Sequence, residues 1–402
     1  MPEIRHWHAR LLLACLLCLM PLPALAAPRI GVVTMAPGEI FWERFGHDAI
    51  VVDAGEHGRI SYNFGYFDPD EPDFISRFIR GQMRYRLVAL PLEQDLLQYR
   101  EAGRGVRVQW LDLPAQQAEK LAAALAENAR PENAHYHYDY FRDNCATRVR
   151  DALNLAMDGE LAVQLAASAQ GLSYRSEALR LAAPEAWMWL GFQLGLGPHA
   201  DRSLSRWEAA FIPMRLADSL RLAKNSEGRP LVLVEEQWLP HVLPPEPAEK
   251  PLPIWQFGAA GMFIALLLLA LGRRAPRLAA GFAFSFWLLG GFIGLLYLYL
   301  WLGSAHWATW RNHNLLLLHP LLWLLLPGAW SILRGRLPSS RFVWLLRATT
   351  CIALLSLLDV LLGIDPQRNG TWIALLLPIH LALAMLCARR DAASHSSLSQ
   401  CP

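Results

Sequence analysis

The sequence has little cysteine and no excess of charge of either sign. Six cysteines occur in 402 residues, and the formal net charge is +2. A near-neutral chain without a dense block of lysine and arginine gives no indication of a nucleic-acid-binding surface. The sequence also lacks a Gly-rich phosphate loop and a G-x-S-x-G nucleophile motif, which speaks against a P-loop nucleotide site and an α/β-hydrolase serine.

Metal and cofactor sites are not indicated either. His135 and His137 are two residues apart, but no further cluster of Cys, His or Asp accompanies them at the spacing of a metal site. We therefore predict no metal and no cofactor.

The few cysteines are distributed unevenly. Between residues 28 and 240 there is only one, Cys145, in "YFRDNCATRVRD". In an oxidising compartment cysteines are usually paired, so a lone one is buried and inert, intermolecular, or reactive. The others are in an N-terminal apolar stretch, in later apolar runs or in a Ser-rich tail: Cys15, Cys18, Cys351, Cys387 and Cys401.

The N-terminus is typical of a secretory signal peptide. Arg5 and Arg10 precede the apolar run "LLLACLLCLM", which is too short to cross a bilayer. "PLPALAA" then offers a small-residue cleavage site, so residues 1–26 are interpreted as a signal peptide. A lipoprotein cleavage box ending at Cys15 and an uncleaved first anchor are the alternatives.

Residues 28–238 have mixed α and β character and are predicted to form an α+β extracytoplasmic domain. "RIGVVTM", "GHDAIVVD" and "ISYNFGYF" indicate strands, the last two joined through "AGEHG" as a hairpin. "GVRVQWLDL" and "PLVLVEEQW" indicate further strands. "PAQQAEKLAAALAENA" and "CATRVRDALNLAMD" are typical of helices.

A proline-rich linker and a membrane region follow. Residues 239–253, "LPHVLPPEPAEKPLP", favour an extended spacer. Residues 254–390 are predicted to form an all-α domain of five transmembrane helices, because each apolar run is near the length that crosses a bilayer. The runs are 254–272, 279–303, 313–333, 342–363 and 371–388.

The arginines predict the orientation of this region. They concentrate after the first run, between the third and fourth runs, and after the fifth. The positive-inside rule places those loops and the tail, residues 391–402, in the cytoplasm. The first domain then lies outside, tethered to a bacterial inner membrane, in agreement with the signal peptide.

The residues around Cys145 favour a reactive thiol. Asp143 or Asn144 suits the N-cap of a helix, so Cys145 falls in its first turn. The positive end of the helix dipole favours the thiolate there, and free backbone N–H groups can hold an oxyanion. Arg148, one turn further on, can aid the thiolate or pair with Asp143 or Asp151.

A thiol nucleophile usually needs a base, most often histidine. His47 begins the apolar strand of "RFGHDAIVV", so it would project from a rigid sheet. Asn63 of the neighbouring strand can orient the imidazole if the hairpin register brings it alongside. A histidine bonded to backbone in the core is the alternative interpretation of His47.

Four segments together resemble a known family. "FGHDAIVV", "YNFGYFD", "FIRGQMRYRL" and "YDYFRDNCATRVRD" are similar to the extracytoplasmic domain of the bacterial lipoprotein intramolecular transacylase (Lnb-like) family, and the membrane region resembles the one attached to it. The resemblance implies acyl transfer to an amine through a thioester, with Cys145 and His47 as the catalytic pair. It also implies a permuted papain-like fold of the NlpC/P60 type.

The leading function is therefore a membrane-anchored thiol acyltransferase acting on a lipid or lipoprotein in the outer leaflet. A papain-like amidase of cell-wall peptides and a non-enzymatic envelope protein are the alternatives. Near the outer membrane boundary, "SAHWATWRNHNLLLLHP" is an aromatic interfacial belt or a substrate entry site. His313, His319 and Asp359 are the candidates for such a site.

Overall fold

The computed structural model describes residues 27–167, 169, 171–363 and 366–398, without the side chains of His57, Asp359 and residues 387–398. The predicted signal peptide, residues 1–26, lies outside the described residues. So do the side chains of the predicted cytoplasmic tail.

The first part of the chain forms one antiparallel sheet of seven strands in the order β6-β4-β3-β2-β1-β5-β7. The central strands β1 and β2 are rich in valine and isoleucine and are buried along nearly their whole length. Five of these strands are the ones predicted from the sequence, and they are confirmed: β1 (Arg29–Met35), β2 (His47–Asp53), β3 (Arg59–Tyr66), β5 (Val106–Leu111) and β7 (Val232–Leu239). The other two are β4 (Met83–Pro91) and β6 (His135–Tyr138).

Helices cover both faces of this sheet. The α-helices described in this part are α1 (Phe74–Arg80), α2 (Leu92–Glu101), α3 (Ala115–Asn128), α4 (Cys145–Ala156), α5 (Glu160–Gln164), α6 (Tyr174–Ala182), α7 (Ala186–Gly195), α8 (Arg206–Ala209) and α9 (Pro213–Leu220). On one face of the sheet, apolar side chains of α3, α4 and α9 pack on Ile50 and Val52. On the other face, α2 packs on Ala49 and Val51.

The second part of the chain is helical and apolar. Its helices are α10 (Ile254–Arg274), α11 (Pro276–Leu302), α12 (Leu326–Leu333), α13 (Ser340–Leu362) and α14 (Gly370–Leu398). Four described segments are long and apolar enough to cross a membrane, and a shorter apolar segment, Gly370–Leu386, lies in α14. The four are Ile254–Arg274, Pro276–Leu302, His313–Leu333 and Ser340–Leu362.

The third of these segments is not one continuous α-helix. Short 3-10 helices at His313–Leu316 and Pro320–Leu325 precede α12. Pro320 has no N–H to donate, and His319 before it is extended, so the helix restarts there. α11 likewise begins earlier than predicted, at Pro276, because proline suits the first helical turn.

Hydrogen bonds at the end of α7 join the two parts of the chain. Its last carbonyl groups, at Leu194 and Gly195, accept hydrogen bonds of 2.9 and 3.0 Å from Asn312 Nδ2. The buried Arg175 donates to the Leu196 carbonyl at 2.7 Å and pairs with Asp201 at 2.8 Å. Side chains of the membrane region therefore satisfy helix-end carbonyls that would otherwise be buried without donors.

We expect Asn312→Ala to loosen this junction at a cost of about 1–3 kcal/mol, because it removes the described donor to the Gly195 carbonyl, whereas Leu194 keeps Tyr297 and Asn314 as donors. In the intact protein, hydrogen exchange should become faster in α7 and in residues 304–316. Asn128→Ala, which removes an exposed side-chain hydrogen bond far from the junction, is the control. Unchanged protection of α7 in Asn312→Ala would contradict the assignment.

Candidate active site

Cys145 is the first residue of α4, and its position depends on the cap before it. Asn144 Oδ1 accepts the N–H of Thr147 at 3.0 Å, and the N–H of Asn144 donates to Thr147 Oγ1 at 2.7 Å. Asn144 Nδ2 donates to the carbonyls of Tyr140 and Phe211 at 3.0 and 2.9 Å. Of the two cap candidates, Asn144 is the cap, and it also ties the helix start to two other segments.

Asp143 and Arg148 form a pair of their own. Arg148 Nε donates to Asp143 Oδ1 in a short contact, and its Nη2 donates to Oδ2 at 2.7 Å. The guanidinium also lies 4.2 Å from the ring centre of Tyr136. Arg148 thus has the ordinary role that the sequence also allowed, since the carboxylate beside it takes up its charge.

His47 and Asn63 lie side by side on neighbouring strands. The register pairs Ala49 with Asn63, and His47 Nε2 is 3.0 Å from Asn63 Oδ1. Asn63 Nδ2 donates to Ser61 Oγ at 3.1 Å and to Asp95 Oδ2 at 3.0 Å. Because the amide nitrogen is used there, Oδ1 faces the histidine and can only accept. Nε2 therefore carries the hydrogen, and Nδ1 keeps the lone pair that a base needs.

Asp95, on helix α2, anchors this hydrogen-bond network. It is 1% exposed, and its Oδ2 also accepts from Ser61 Oγ at 2.7 Å. Asp95 lies in the first turn of α2, a common place for an acidic residue, so its sequence context gave no signal of a role beside His47. The contact of Asp95 with Asn63 was therefore not predicted from the sequence.

The site favours neutral forms of both candidate reacting groups. Burial raises the pKa of the Cys145 thiol to about 12, with the nearby Asp48 adding to the rise. Backbone hydrogen bonds from Asp48, Ala146 and Cys145 itself act in the opposite direction. The expectation that the helix N-terminus makes Cys145 a thiolate is wrong for this state, because desolvation outweighs it.

Burial also lowers the pKa of His47, although the charge of Asp95 opposes this. The imidazole is thus neutral near pH 7. A neutral histidine can accept a proton from a thiol.

The strand ends bring Cys145 and His47 to the same place. Asp48, the residue after His47, directs its backbone N–H at the Cys145 sulfur. Gly65 lies in an irregularity of β3 with φ +94, and a Cβ there would be 3.6 Å from Cys145 Cβ. Among the described hydrogen bonds none joins the His47 ring to the sulfur, and it is Asp48, the next residue of β2, that connects the two.

Tyr136 and Asp48 are further polar groups at Cys145 that the sequence did not single out for catalysis. The Tyr136 hydroxyl is buried, has no hydrogen-bond partner among the described residues, and lies 3.8 Å from the same Cβ position at Gly65. Asp48 is fully buried; Thr34 Oγ1 donates to its Oδ1 at 2.8 Å, and no described residue donates to its Oδ2. Burial raises the pKa of Asp48 to about 7.

The predicted membrane-side residues lie in a different setting. The N–H of His313 donates to Gln367 Oε1 at 2.7 Å within the junction with the first part of the chain. His319 is buried against Gly294 of α11. Asp359 lies in α13, and its side chain is outside the described residues. A substrate role for these three stays a prediction.

Comparison with known protein families gives two matches. Residues 24–177 match the model of the Lnb N-terminal periplasmic domain, and residues 251–391 match the model of the Lnb transmembrane domain. Searches of curated proteins and of solved structures each gave no significant match. The first matched segment contains all of these candidate-site residues: Cys145, His47, Asn63, Asp95 and Tyr136.

Asp48→Asn tests the buried carboxyl. A raised pKa means that the folded state binds the proton more tightly, so the stability that Asp48 contributes is present below pH 4 and is lost as pH rises through about 7. At pH 8 we expect wild type to melt at a lower temperature than Asp48→Asn. The corresponding difference in the free energy of unfolding is up to about 4 kcal/mol. The difference in unfolding free energy between wild type and Asp48→Asn should become smaller at pH 4–5. Equal melting curves at pH 8 would contradict a buried, unpaired carboxylate.

Proposed function

Because the chain belongs to the Lnb family, we propose that it is a membrane-anchored cysteine acyltransferase. It moves an acyl chain from a glyceryl ester of a lipoprotein or phospholipid to an amine, through a thioester on Cys145. The observation that supports this most directly is the capped helix start of Cys145 next to the His47–Asn63 pair, in a periplasmic domain joined to a transmembrane region.

The first half of the reaction follows from the tautomer of His47. Nδ1 takes the proton of the Cys145 thiol as the sulfur attacks the ester carbonyl carbon. The C–O bond to glycerol then breaks, and His47 returns the proton to the glycerol oxygen. Asn63, held by Ser61 and Asp95, keeps the imidazole oriented and stabilises its charged form during the step.

The second half of the reaction follows the same order of steps, with the acceptor amine as the attacking group. A neutral amine attacks the thioester carbonyl, the C–S bond breaks, and the amine proton passes by way of His47 to the sulfur. The products are an amide and the free thiol, so the enzyme is regenerated with no external reductant or energy source.

Donors for the oxyanion surround the sulfur. The backbone N–H groups of Cys145 and Asp48 point toward it, and the Tyr136 hydroxyl is buried nearby without an acceptor. An oxygen that becomes negative at this point would give that hydroxyl its missing partner. Such preorganised donors stabilise the tetrahedral intermediate on each half-reaction.

The proposal includes a finer architecture. We assign the sheet and α4 to a permuted papain-like (NlpC/P60-like) arrangement, because a strand-borne histidine precedes a helix-borne cysteine in the chain. We also assign five membrane crossings, with the shorter apolar part of α14 as the fifth and the C-terminus in the cytoplasm. The domain limits are those predicted from the sequence, and the substrate is reached in the outer leaflet.

An acyl-enzyme provides the direct test. When the intact protein is incubated with a diacylglyceryl lipid and no amine, mass spectrometry should find one fatty acyl group on the Cys145 peptide, removable by hydroxylamine. Cys145→Ser should show no such adduct. His47→Ala should slow its formation by about 10²- to 10⁴-fold. His135→Ala, an exposed histidine on β6, is the matched control and should leave the rate unchanged.

Two other outcomes would contradict the proposed substrate class. If lipids leave Cys145 unmodified while cell-wall peptide amides are cleaved by the same Cys145 and His47, the chain is an amidase. If neither occurs in a correctly folded protein, the proposal of an acyltransferase fails.

Tyr136→Phe tests the oxyanion donor. The ring, and with it the contact to Arg148, is retained while the hydroxyl is lost, so we expect kcat to fall about 10²-fold with little change in KM. Tyr140→Phe, which alters a tyrosine that is 41% exposed, serves as control. An equal fall of kcat in both variants would contradict the role of Tyr136 as an oxyanion donor, and so would an unchanged kcat in Tyr136→Phe.

A further inference from the structure

Helix α1 carries an apolar face that stays largely exposed among the described residues. Ile75, Phe78 and Ile79 follow the i, i+3, i+4 spacing of one helix face, and they are 66%, 47% and 47% exposed. The Phe78 ring also meets the ring of His306 edge-on. Arg77, which pairs with Glu71, and Arg80 occupy other positions of the same helix. An exposed apolar stripe flanked by arginines is typical of a helix that lies in a membrane interface.

The position of α1 relative to the membrane region supports the same interpretation. The carbonyl of Arg80 accepts the N–H of Ala305 at 2.8 Å, and the carbonyl of Phe78 lies 2.8 Å from His306 Nε2. Tyr299 of α11 donates to the carbonyl of Ile79 at 3.4 Å. Tyr299 is one turn before the end of α11 at Leu302, so α1 lies at the level where a membrane-spanning helix ends.

The close fit at this contact indicates a fixed position. Gly81 ends α1 with φ +71, and a Cβ there would lie 2.9 Å from the backbone nitrogen of His306. Only glycine combines this conformation with so close an approach. The C-terminal end of α1 is therefore held against the segment that follows α11.

A continuous stack of aromatic rings connects α1 to the candidate active site. Phe74 of α1 stacks on Phe67 at 5.9 Å, Phe67 on Tyr85 at 4.9 Å, and Tyr85 on Tyr138 at 4.1 Å between ring centres. Tyr138 and Cys145 both border Gly65, at 3.6 Å from its Cβ position. The apolar helix is thus joined through ring contacts to the wall around the nucleophile.

We infer that α1 lies in the outer leaflet of the bilayer, with Ile75, Phe78 and Ile79 among the acyl chains, and that it is the point at which a lipid ester passes from the bilayer to Cys145. The occupant of this face is the phospholipid leaflet itself. The passage of an ester rests on the proposed function, whereas the depth of α1 in the membrane does not.

The depth of α1 is measured first, without reference to activity. In the full chain with its native cysteines replaced, a nitroxide at Ile79→Cys is compared with one at Leu155→Cys, an α4 position that is 65% exposed. In phosphatidylethanolamine–phosphatidylglycerol nanodiscs, the label at 79 should be reached by oxygen and shielded from a water-soluble nickel chelate. The label at 155 should show the reverse. Equal access of the chelate to both labels would overturn the inference.

The passage of substrate is measured with two kinds of acyl donor. Ile75→Glu combined with Phe78→Glu should lower acylation of Cys145 by a bilayer-embedded diacyl lipid at least about 10-fold. Acylation by a water-soluble short-chain thioester should be unchanged, and Leu155→Glu should affect neither. If both donors slow equally, or the lipid donor is unaffected, α1 is not the passage.

The two proposals can fail separately. If wild type forms no acyl-enzyme from either donor, the proposed function fails while the labelled protein still reports the depth of α1.

Discussion

The hydrogen bonds of one side chain, Asn144, hold the candidate site together. Its oxygen caps α4 through Thr147, and its amide nitrogen donates to Tyr140 and Phe211. This fixes Cys145 at a helix start, and it ties that start to the preceding loop and to the segment before α9. Asn144 thereby sets the position of the sulfur relative to the other groups of the candidate site, which are the nearby backbone amides, the Tyr136 hydroxyl and His47 on β2.

Local patterns in the sequence predicted much of this arrangement, because the signals are local. Short apolar runs rich in β-branched residues, a capping residue before a periodic helix and the "AGEHG" hairpin loop determine where Cys145, His47 and Asn63 lie along their elements. The register that places Asn63 beside His47 was left open by one residue, and the structure has the pairing that brings them together. The long apolar runs predicted the membrane region in the same way.

Contacts between distant segments could not be predicted so directly. Asp95 reaches Asn63 across the sheet from α2, and Asp48 is buried because its strand is central and α4 covers it. Desolvation of the thiol likewise depends on tertiary packing, which is why the helix dipole alone gave the wrong expectation for Cys145. The junction of Asn312 with the end of α7 joins two segments more than a hundred residues apart, and no sequence period reports it.

Neutral Cys145 and His47 suit the proposed reaction at a membrane. A stable thiolate would remain charged in a buried site and would react with any electrophile that reached it from water. In the proposed mechanism, the neutral thiol becomes nucleophilic only as His47 takes its proton, when an ester carbonyl is already in place. The same burial that raises the pKa of Cys145 fits an apolar acyl chain, whose entry removes water without exposing a charge. Helix α1, exposed at membrane level and joined by stacked rings to the wall around that thiol, is where such a chain would enter.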